Sequence, residues 1–305
     1  MLSKFIELLH VRFSSANCRE IVKPFSINSK TDKCNTIIMV NRGHARLNDQ
    51  SVYAQEGSFY FFPAGKKISI QHGIDPDAKF NSYSQIIGTD EQNYFRSVTS
   101  HDNLDQIKEL VTFVRFDVEL FDIIPFFGSL DIPVFQMPPS EELSFLVRHL
   151  AFEQETKRLG HDKIIKNFME ELIVYVCRYI ESQPDFKPYV EKLEFLADRR
   201  LVDIVKFVGD NLEKDLSNKT IANIAFISED YVGQFFKSLT GKNLQDYIEN
   251  RRLEKAMFYL KTIPDNIQEI AHKVGFKDPA YFSRRFKMKY GVNANSVRHN
   301  KIQLA

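Results

Sequence analysis

Cysteine is scarce in this sequence. The three cysteines, Cys18, Cys34 and Cys177, lie at spacings that match neither a short disulfide loop nor a zinc site. This scarcity disfavours a small disulfide-stabilised secreted domain, and it predicts reduced thiols in a cytoplasmic protein.

Long apolar runs are also missing. The longest candidate, Leu172–Val176, falls far short of the ~20 residues that a membrane-spanning helix needs. The first residues, MLSKFIELLHVRF, contain Glu7, His10 and Arg12 where a signal peptide would have an uncharged apolar core. We therefore expect neither a membrane span nor a secretory signal, and a cytoplasmic location.

Charge is present in quantity but is unevenly distributed. Apolar residues make up 43% of the 305 residues and charged residues 27%, which is typical of a globular chain with room for two domains. Residues 1–198 contain 22 basic and 28 acidic residues, whereas residues 199–305 contain 19 basic and 12 acidic. A basic block after an acidic one indicates a C-terminal third that meets a polyanion, with a solvated, charge-clustered surface as the alternative.

The basic third contains one pattern twice. The first copy, IANIAFISEDYVGQFFKSLTG, covers residues 221–241, and the second, IAHKVGFKDPAYFSRRFKMKYG, covers residues 270–291. The two copies align at an offset of 49 residues before Lys277 and 50 after it, so that Gly241 corresponds to Gly291. Each copy predicts a helix, a tight turn and a second helix.

The second copy has clear helix signals. Gly275 can provide the turn, because glycine tolerates backbone angles that other residues resist. Asp278 is placed to cap the next helix, with Pro279 at its first position and Gly291 at its end.

The first copy is expected to begin and end its second helix at Ser228 and Gly241. Phe226 stands where the second copy has its turn glycine. We therefore predict that the first turn is built differently.

The second helix of the second copy is amphipathic. Phe282 and Phe286 are four residues apart and share the predicted buried face. The opposite face, here named the outward stripe, consists of Ala280, Ser283, Arg284 and Lys287. Such a stripe fits a DNA major groove, where Arg284 could contact a guanine through two hydrogen bonds. The alternative is an ordinary helix with a solvated basic face.

Residues 244–261 between the copies predict a helix. One continuous helix would fix the two reading helices relative to each other, so that they could enter successive major grooves about 34 Å apart. Arg251 and Arg252 on this helix are candidate phosphate contacts, although a solvated pair is the alternative.

Residues 200–300 resemble the DNA-binding domain of the AraC/XylS family of bacterial transcription regulators. The second copy resembles the family signature along its length, and RRLEKAMFYL is similar to the connecting helix. The resemblance implies base-reading positions at Asp230, Gly233 and Gln234 in the first copy and at Pro279, Ala280, Ser283 and Arg284 in the second. Together, the residues predicted to contact DNA are Ser228, Asp230, Gly233, Gln234, Lys237, Arg251, Arg252, Pro279, Ala280, Ser283, Arg284, Lys287, Lys289 and Arg298.

The first copy departs from the family pattern. Gly233 offers no side chain and Asp230 would repel phosphate, so the first copy is expected to read little sequence. Of the usual Thr-Pro-x-x-Tyr-Arg ending, NANSVR keeps only Arg298.

Residues 20–136 are predicted to be β-rich, with short strands between turn residues. The strand candidates are 36–40, 44–48, 58–62 and 67–71. Such strands favour a barrel or jelly roll, and RGHARLNDQSVYAQEGSFYFFPAGKKISI resembles the cupin-type sensing domain of the same family. The expected fold class is α+β: a cupin-like barrel with flanking helices, followed by an all-α domain with two helix-turn-helix motifs.

A metal site is not expected in this barrel. Cupin metal sites use clustered imidazoles, but His44 precedes Ala45 and Arg46, and His72 stands alone. No cofactor and no enzyme activity are predicted, and the alternative is a metal- or ligand-binding cupin enzyme with an accessory DNA-binding tail. No residue can be assigned to an effector, because the apolar interior is equally explained as core: Phe59, Phe61, Ile68, Ile70 and Ile86.

Residues 140–182 predict two helices that either dimerise, as the family resemblance implies, or cover the barrel. Gln183–Pro188 is the predicted hinge. The predicted parts are a sensing barrel at 1–138, a helical segment at 139–188 and a DNA-binding domain at 199–305, the last with motifs at 218–241 and 266–291 around a linker helix at 244–261.

The chain is thus predicted to regulate transcription, with activation as the commoner outcome in the family. Its expected partners are double-stranded DNA, a second copy, a small effector and RNA polymerase, without a membrane.

Overall fold

The protein is described from a computed structural model. The described residues are 2–47, 49–74, 81–86, 91–193 and 198–302. They divide into two compact units, Met1–Leu193 and Glu194–Ala305. The first is β-rich and the second is helical, which confirms the α+β class. Position 48 of one predicted strand, and positions 1, 75–80, 87–90 and 303–305 of the predicted domains, lie outside the described residues.

The N-terminal unit contains two sheets. Its strands are β1 (Leu9–Ile21), β2 (Phe25–Thr31), β3 (Asn35–Arg42), β4 (Ala45–Leu47), β5 (Phe59–Phe62), β6 (Lys67–His72), β7 (Asn81–Ser82), β8 (Phe95–Val98), β9 (Leu110–Leu120), β10 (Ile124–Pro125) and β11 (Phe135–Met137). The larger sheet has the order β11-β5-β3-β9-β1-β8, with β10 paired to β9, and the smaller has the order β4-β6-β2-β7. The four short strands predicted from sequence correspond to β3, β4, β5 and β6.

The two sheets share one apolar core. Alternate residues of each strand point to the same face, so Val111 of β9 and Ile38 of β3 pack with Ile70 of β6 from the other sheet. The opposite face of the larger sheet is covered by helices. Burial on both faces explains why β3 and β5 contain continuous apolar runs.

The helices of this unit are α1 (Ser3–Ile6), α2 (Tyr83–Ile86), α3 (Glu91–Tyr94), α4 (Phe126–Leu130), α5 (Glu141–Thr156), α6 (His161–Ser182) and α7 (Lys187–Glu191). Helices α5 and α6 are the predicted pair. They pack on each other and against β1, while Phe145, Phe152 and Ile164 remain exposed. The two helices therefore cover the sheet, and these three apolar side chains of the pair remain in solvent.

The predicted hinge at Gln183–Pro188 is wrong. This segment forms a 3-10 turn and the start of α7, inside the N-terminal unit. Phe186 is buried, with its ring centroid 4.9 Å from that of Phe135, and it also packs on Tyr179. The two prolines of this segment indicated a linker, but the burial of Phe186 fixes the segment to the N-terminal unit.

The C-terminal unit contains α8 (Arg199–Asp210), α9 (Asn218–Ala225), α10 (Glu229–Thr240), α11 (Leu244–Thr262), α12 (Ile267–Lys273), α13 (Pro279–Tyr290) and α14 (Ala294–Ile302). Helix α11 covers the residues that were predicted to form the linker helix. The pairs α9–α10 and α12–α13 are the two copies of the repeat.

Local signals position α13 as predicted. The Asp278 carboxylate accepts a hydrogen bond from the Ala280 backbone N–H at 2.8 Å, and Gly291 ends the helix in the left-handed conformation. Phe282 and Phe286 are fully buried in a core shared with α11 and α12. Their burial fixes which face of α13 remains in solvent.

The two turns have a left-handed residue at the corresponding position, but they differ in detail: the first helix of the first copy ends at Phe226 itself, whereas that of the second copy ends at Val274, one residue before Gly275. Phe226 adopts a φ of 54° and Gly275 a φ of 96°. The following residues, Ile227 and Phe276, donate equivalent hydrogen bonds to the carbonyls of the preceding helices. Phe226 tolerates this conformation at a cost of about 1–2 kcal/mol, and its side chain is 94% exposed. The aromatic side chain is accommodated because it points into solvent.

Candidate nucleic-acid interface

The outward stripe lies on the solvent side of α13. Ala280, Ser283, Arg284 and Lys287 are all exposed, opposite the buried Phe282 and Phe286. The Ser283 hydroxyl donates to the Pro279 carbonyl at 2.9 Å. Within the described residues, the charged groups of Arg284 and Lys287 have no hydrogen-bond or ion-pair partner. These two cations are therefore available to an external anion.

Other basic side chains of α13 are bound to α11 instead. The Arg285 guanidinium donates to the Glu249 carboxylate, which also accepts from the Tyr281 hydroxyl at 2.6 Å. This hydrogen bond raises the pKa of Tyr281. One turn further along α13, Lys289 Nζ contacts Glu254 Oε1 at 3.1 Å and the Asn250 carbonyl at 3.2 Å. Two acidic residues of α11 thus hold α13 in one orientation.

Three predicted contacts are likewise engaged within the unit. The Arg252 guanidinium donates to the carbonyls of Leu212, at 2.9 Å, and Lys214, at 3.0 Å. Burial lowers the pKa of Arg252, and the two carbonyls offset the desolvation of its charge. Arg251 pairs with Glu254 at 3.0 Å. The Arg252 bonds join α11 to the chain before α9. The Arg251 pair gives Glu254 a second cationic partner besides Lys289.

The third is Arg298 on α14, which donates to the carbonyls of Ile263 and Asp265 in the loop after α11. The structure therefore gives Arg251, Arg252, Lys289 and Arg298 bonds that stabilise the domain. Their contact with DNA stays a prediction.

The corresponding face of α10 is poorer in positive charge. Asp230, Gln234 and Lys237 are exposed, and Gly233 has open space where a side chain would begin. Ser228 occupies the cap position before α10, but its side chain makes no capping hydrogen bond. This face therefore offers one cation and one opposing carboxylate from its predicted contacts.

Sequence reasoning missed Glu249 and Glu254. Glu249 lies 36 residues before Arg285, to which it is bonded. No periodicity within α11 or α13 relates residues so far apart, and only their packing brings the charges together.

The N-terminal unit contributes no metal centre among the described residues. His44 is exposed, with Nδ1 2.8 Å from Glu109 Oε1, and His72 is buried elsewhere. No three His, Cys, Asp or Glu side chains in the described part of the chain cluster as metal ligands would. Nor does any described helix combine the length and the apolar character of a membrane span.

Comparisons with known proteins agree with this geometry. Residues 221–300 match the family model described as a helix-turn-helix domain. The chain is 30% identical over 275 residues to the HTH-type transcriptional regulator AlkR of Acinetobacter baylyi, covering 86% of each protein. It is 26% identical over 245 residues to the HTH-type transcriptional regulator MtrA of Neisseria gonorrhoeae, covering 79% of this chain and 77% of MtrA.

One solved structure matches about a third of the chain. The DNA-binding domain of AdpA in complex with a target DNA is 24% identical, with 33% of this chain and 91% of that chain covered and a TM-score of 0.32. The AlkR match is of a different kind, because it extends over most of both chains. Together with the repeat, the capped α13 and the helix-turn-helix match, it shows that the chain belongs to the AraC/XylS family of DNA-binding transcription regulators.

Proposed function

We propose that this protein binds specific double-stranded DNA sequences through two helix-turn-helix motifs and that α13 is the principal reading helix. The supporting observation is that only some of the cations of α13 are bonded within the domain. Arg285 and Lys289 bind α11, whereas Arg284 and Lys287 point to solvent without partners in the described residues. A helix with a fixed orientation and a free cationic face is suited to the major groove.

The linker helix supports a two-groove arrangement. Its 19 residues span roughly 28 Å at 1.5 Å per residue, comparable with the ~34 Å repeat of the duplex. In this proposal α10 enters the neighbouring groove and mainly positions the domain. Because Gly233 has no side chain and Asp230 is negatively charged, α10 has few groups that could contact bases.

We further propose that the two-sheet unit is a cupin-like barrel that controls DNA binding. The proposed homodimer forms through α5 and α6, on which three large apolar side chains are exposed: Phe145, Phe152 and Ile164. An effector or a change of dimer geometry would then alter engagement of paired sites. Activation through RNA polymerase is the proposed outcome, in the cytoplasm, where a bacterial chromosome lies.

The first test measures salt dependence. A binding site is selected from random DNA with the full chain, and affinity is measured from low to high salt for Lys287→Ala and Lys289→Ala. Lys287→Ala should weaken binding to all sequences and lower the slope of log K against log salt by about one, because one phosphate contact is lost.

Lys289→Ala serves as the matched control on the same helix. Its Nζ already contacts Glu254, so its loss should leave the slope unchanged and act on thermal stability instead. Equal slopes for wild type and Lys287→Ala, or failure of the full chain to select any sequence, would contradict the proposed DNA interface.

A further inference from the structure

Glu249 of α11 contacts one flank of α13. Its carboxylate accepts hydrogen bonds from the Arg285 guanidinium and from the Tyr281 hydroxyl, the latter at 2.6 Å. Tyr281 and Arg285 are four residues apart, so they lie on the same side of α13. The side chain of Glu249 is 17% exposed and that of Arg285 is 30% exposed. This ion pair is therefore at the edge of the helix interface, within reach of solvent.

The flank lies directly beside the outward stripe. Successive residues of an α-helix are about 100° apart around its axis, so Arg285 follows Arg284 by little more than a quarter of a turn. Met288 lies between the two arginines on the helix surface and is 67% exposed. Its sulfur is 3.9 Å from Arg285 Nη1. An exposed surface thus connects Arg285 with the stripe.

A flank in this position faces phosphates when the helix occupies a major groove. The groove is about 12 Å wide and a helix with its side chains is about 10–12 Å across. Residues at the sides of the helix therefore meet the groove walls, which are the sugar-phosphate backbones. A cation on the flank adds affinity for any duplex, because phosphate contacts carry no direct sequence information.

Glu249 neutralises the cation on this flank. The Glu249–Arg285 pair has no net charge, whereas Arg284 and Lys287 have no partner in the described part of the chain. An ion pair that water can still reach adds little to stability. Stability alone therefore explains poorly why this flank has a cation and a carboxylate instead of two neutral side chains.

We propose that Glu249 is a positioning residue for DNA reading. It holds the Arg285 guanidinium on α11, away from the phosphates, and so limits binding to sequences that do not fit the outward stripe. Its second bond, from Tyr281, fixes the same flank at another point. This inference rests on the proposed binding of DNA by α13 and adds a residue that restricts it.

The experiment measures the affinity of the full chain for two duplexes, the selected site and an unrelated sequence. Glu249→Ala removes the carboxylate and releases Arg285, and alanine is compatible with α11 because it is a strong helix former. The flank then gains one positive charge. Affinity for the unrelated duplex should rise about 5- to 10-fold at about 0.1 M salt, and the slope of log K against log salt should steepen by about 0.9, the value for one phosphate contact.

The preference for the selected site should fall in the same variant. Its affinity for that site should rise less, because α13 has lost two bonds to α11 and the orientation of the outward stripe is less fixed. A purely structural role for Glu249 predicts the opposite sign, since a destabilised domain binds both duplexes more weakly.

Two controls isolate the charge of the flank. Glu249→Ala with Arg285→Gln has the net charge of the wild-type pair, so its slope should return to the wild-type value. Glu213→Gln changes the net charge of the unit by the same amount, but Glu213 lies before α9 and pairs with Lys255 of α11 at 4.0 Å. It should leave the slope close to wild type, because salt screens distant charges.

The outcomes separate this inference from the proposed function. A folded Glu249→Ala chain that binds the unrelated duplex no more tightly than wild type, or a double variant that retains the full rise, would overturn the role of Glu249. If Glu249→Ala does not fold, Glu249→Gln decides by the sign of the change, since it also removes the negative charge. A wild-type chain without any preference for the selected site would instead contradict the proposed function itself.

Discussion

Gly275→Ala is expected to destabilise the C-terminal unit by more than about 3 kcal/mol. The left-handed backbone, with a φ of 96°, already disfavours alanine. A Cβ would also lie 2.2 Å from the Leu212 carbonyl oxygen and 2.7 Å from Arg252 Nε. Movement of the Leu212 backbone would cost free energy of folding. Displacement of Arg252 would break its bonds to Leu212 and Lys214. Urea denaturation of the full chain, followed by circular dichroism, measures the loss.

Two other glycines separate the causes. Gly241 also has a positive φ, of 72°, but nothing lies within 4 Å of its Cβ position, so Gly241→Ala should cost only about 1 kcal/mol. Gly233 lies inside α10 with open space around it, so Gly233→Ala should stabilise by up to about 1 kcal/mol. Equal losses for Gly275→Ala and Gly241→Ala would show that the close approach to Leu212 is not a constraint.

Much of the C-terminal unit could be predicted from sequence because its signals are local. The Asp278 cap, the Pro279 start and the Gly291 end lie within 14 residues and determine α13 almost by themselves. The spacing of Phe282 and Phe286 then identifies the outward stripe. Helix bounds and the exposed face follow from such short-range rules.

The role of individual cations could not be predicted in this way. Arg284 and Arg285 are adjacent in sequence, yet only Arg285 meets Glu249 across a helix interface. Arg252 reaches the carbonyl of Leu212, 40 residues away. Composition counts all of these charges as equal, whereas packing assigns some to the fold and leaves others for a ligand.

The same limit applies to the N-terminal unit. β1 was not predicted as a strand, because polar residues such as Asn17 and Arg19 interrupt the apolar alternation on its inner face. In the structure, Asn17 and Arg19 line a cavity between the two sheets. Other residues of the cavity wall, such as Thr36 and Phe113, come from other strands, so no local pattern groups them with β1.

Arg284→Ala is expected to lower discrimination at one base position by about 5- to 150-fold, since a bidentate contact to guanine contributes about 1–3 kcal/mol. The side chain is exposed, has no partner among the described residues and lies one position after Ser283 on the outward stripe. Competition binding against single-base variants of the selected site measures the change. An unchanged base preference would place Arg284 outside the groove.

Arg284→Lys distinguishes base reading from simple charge attraction. Lysine keeps the positive charge but loses the planar fork, so discrimination should fall while the salt slope remains close to that of wild type. Arg285→Lys is the neighbouring control, because Arg285 bonds to Glu249 and should change stability without changing base preference. If Arg284→Lys retained full discrimination, Arg284 would act only as a phosphate contact, and sequence reading by α13 would have to come from the small side chains Ala280 and Ser283.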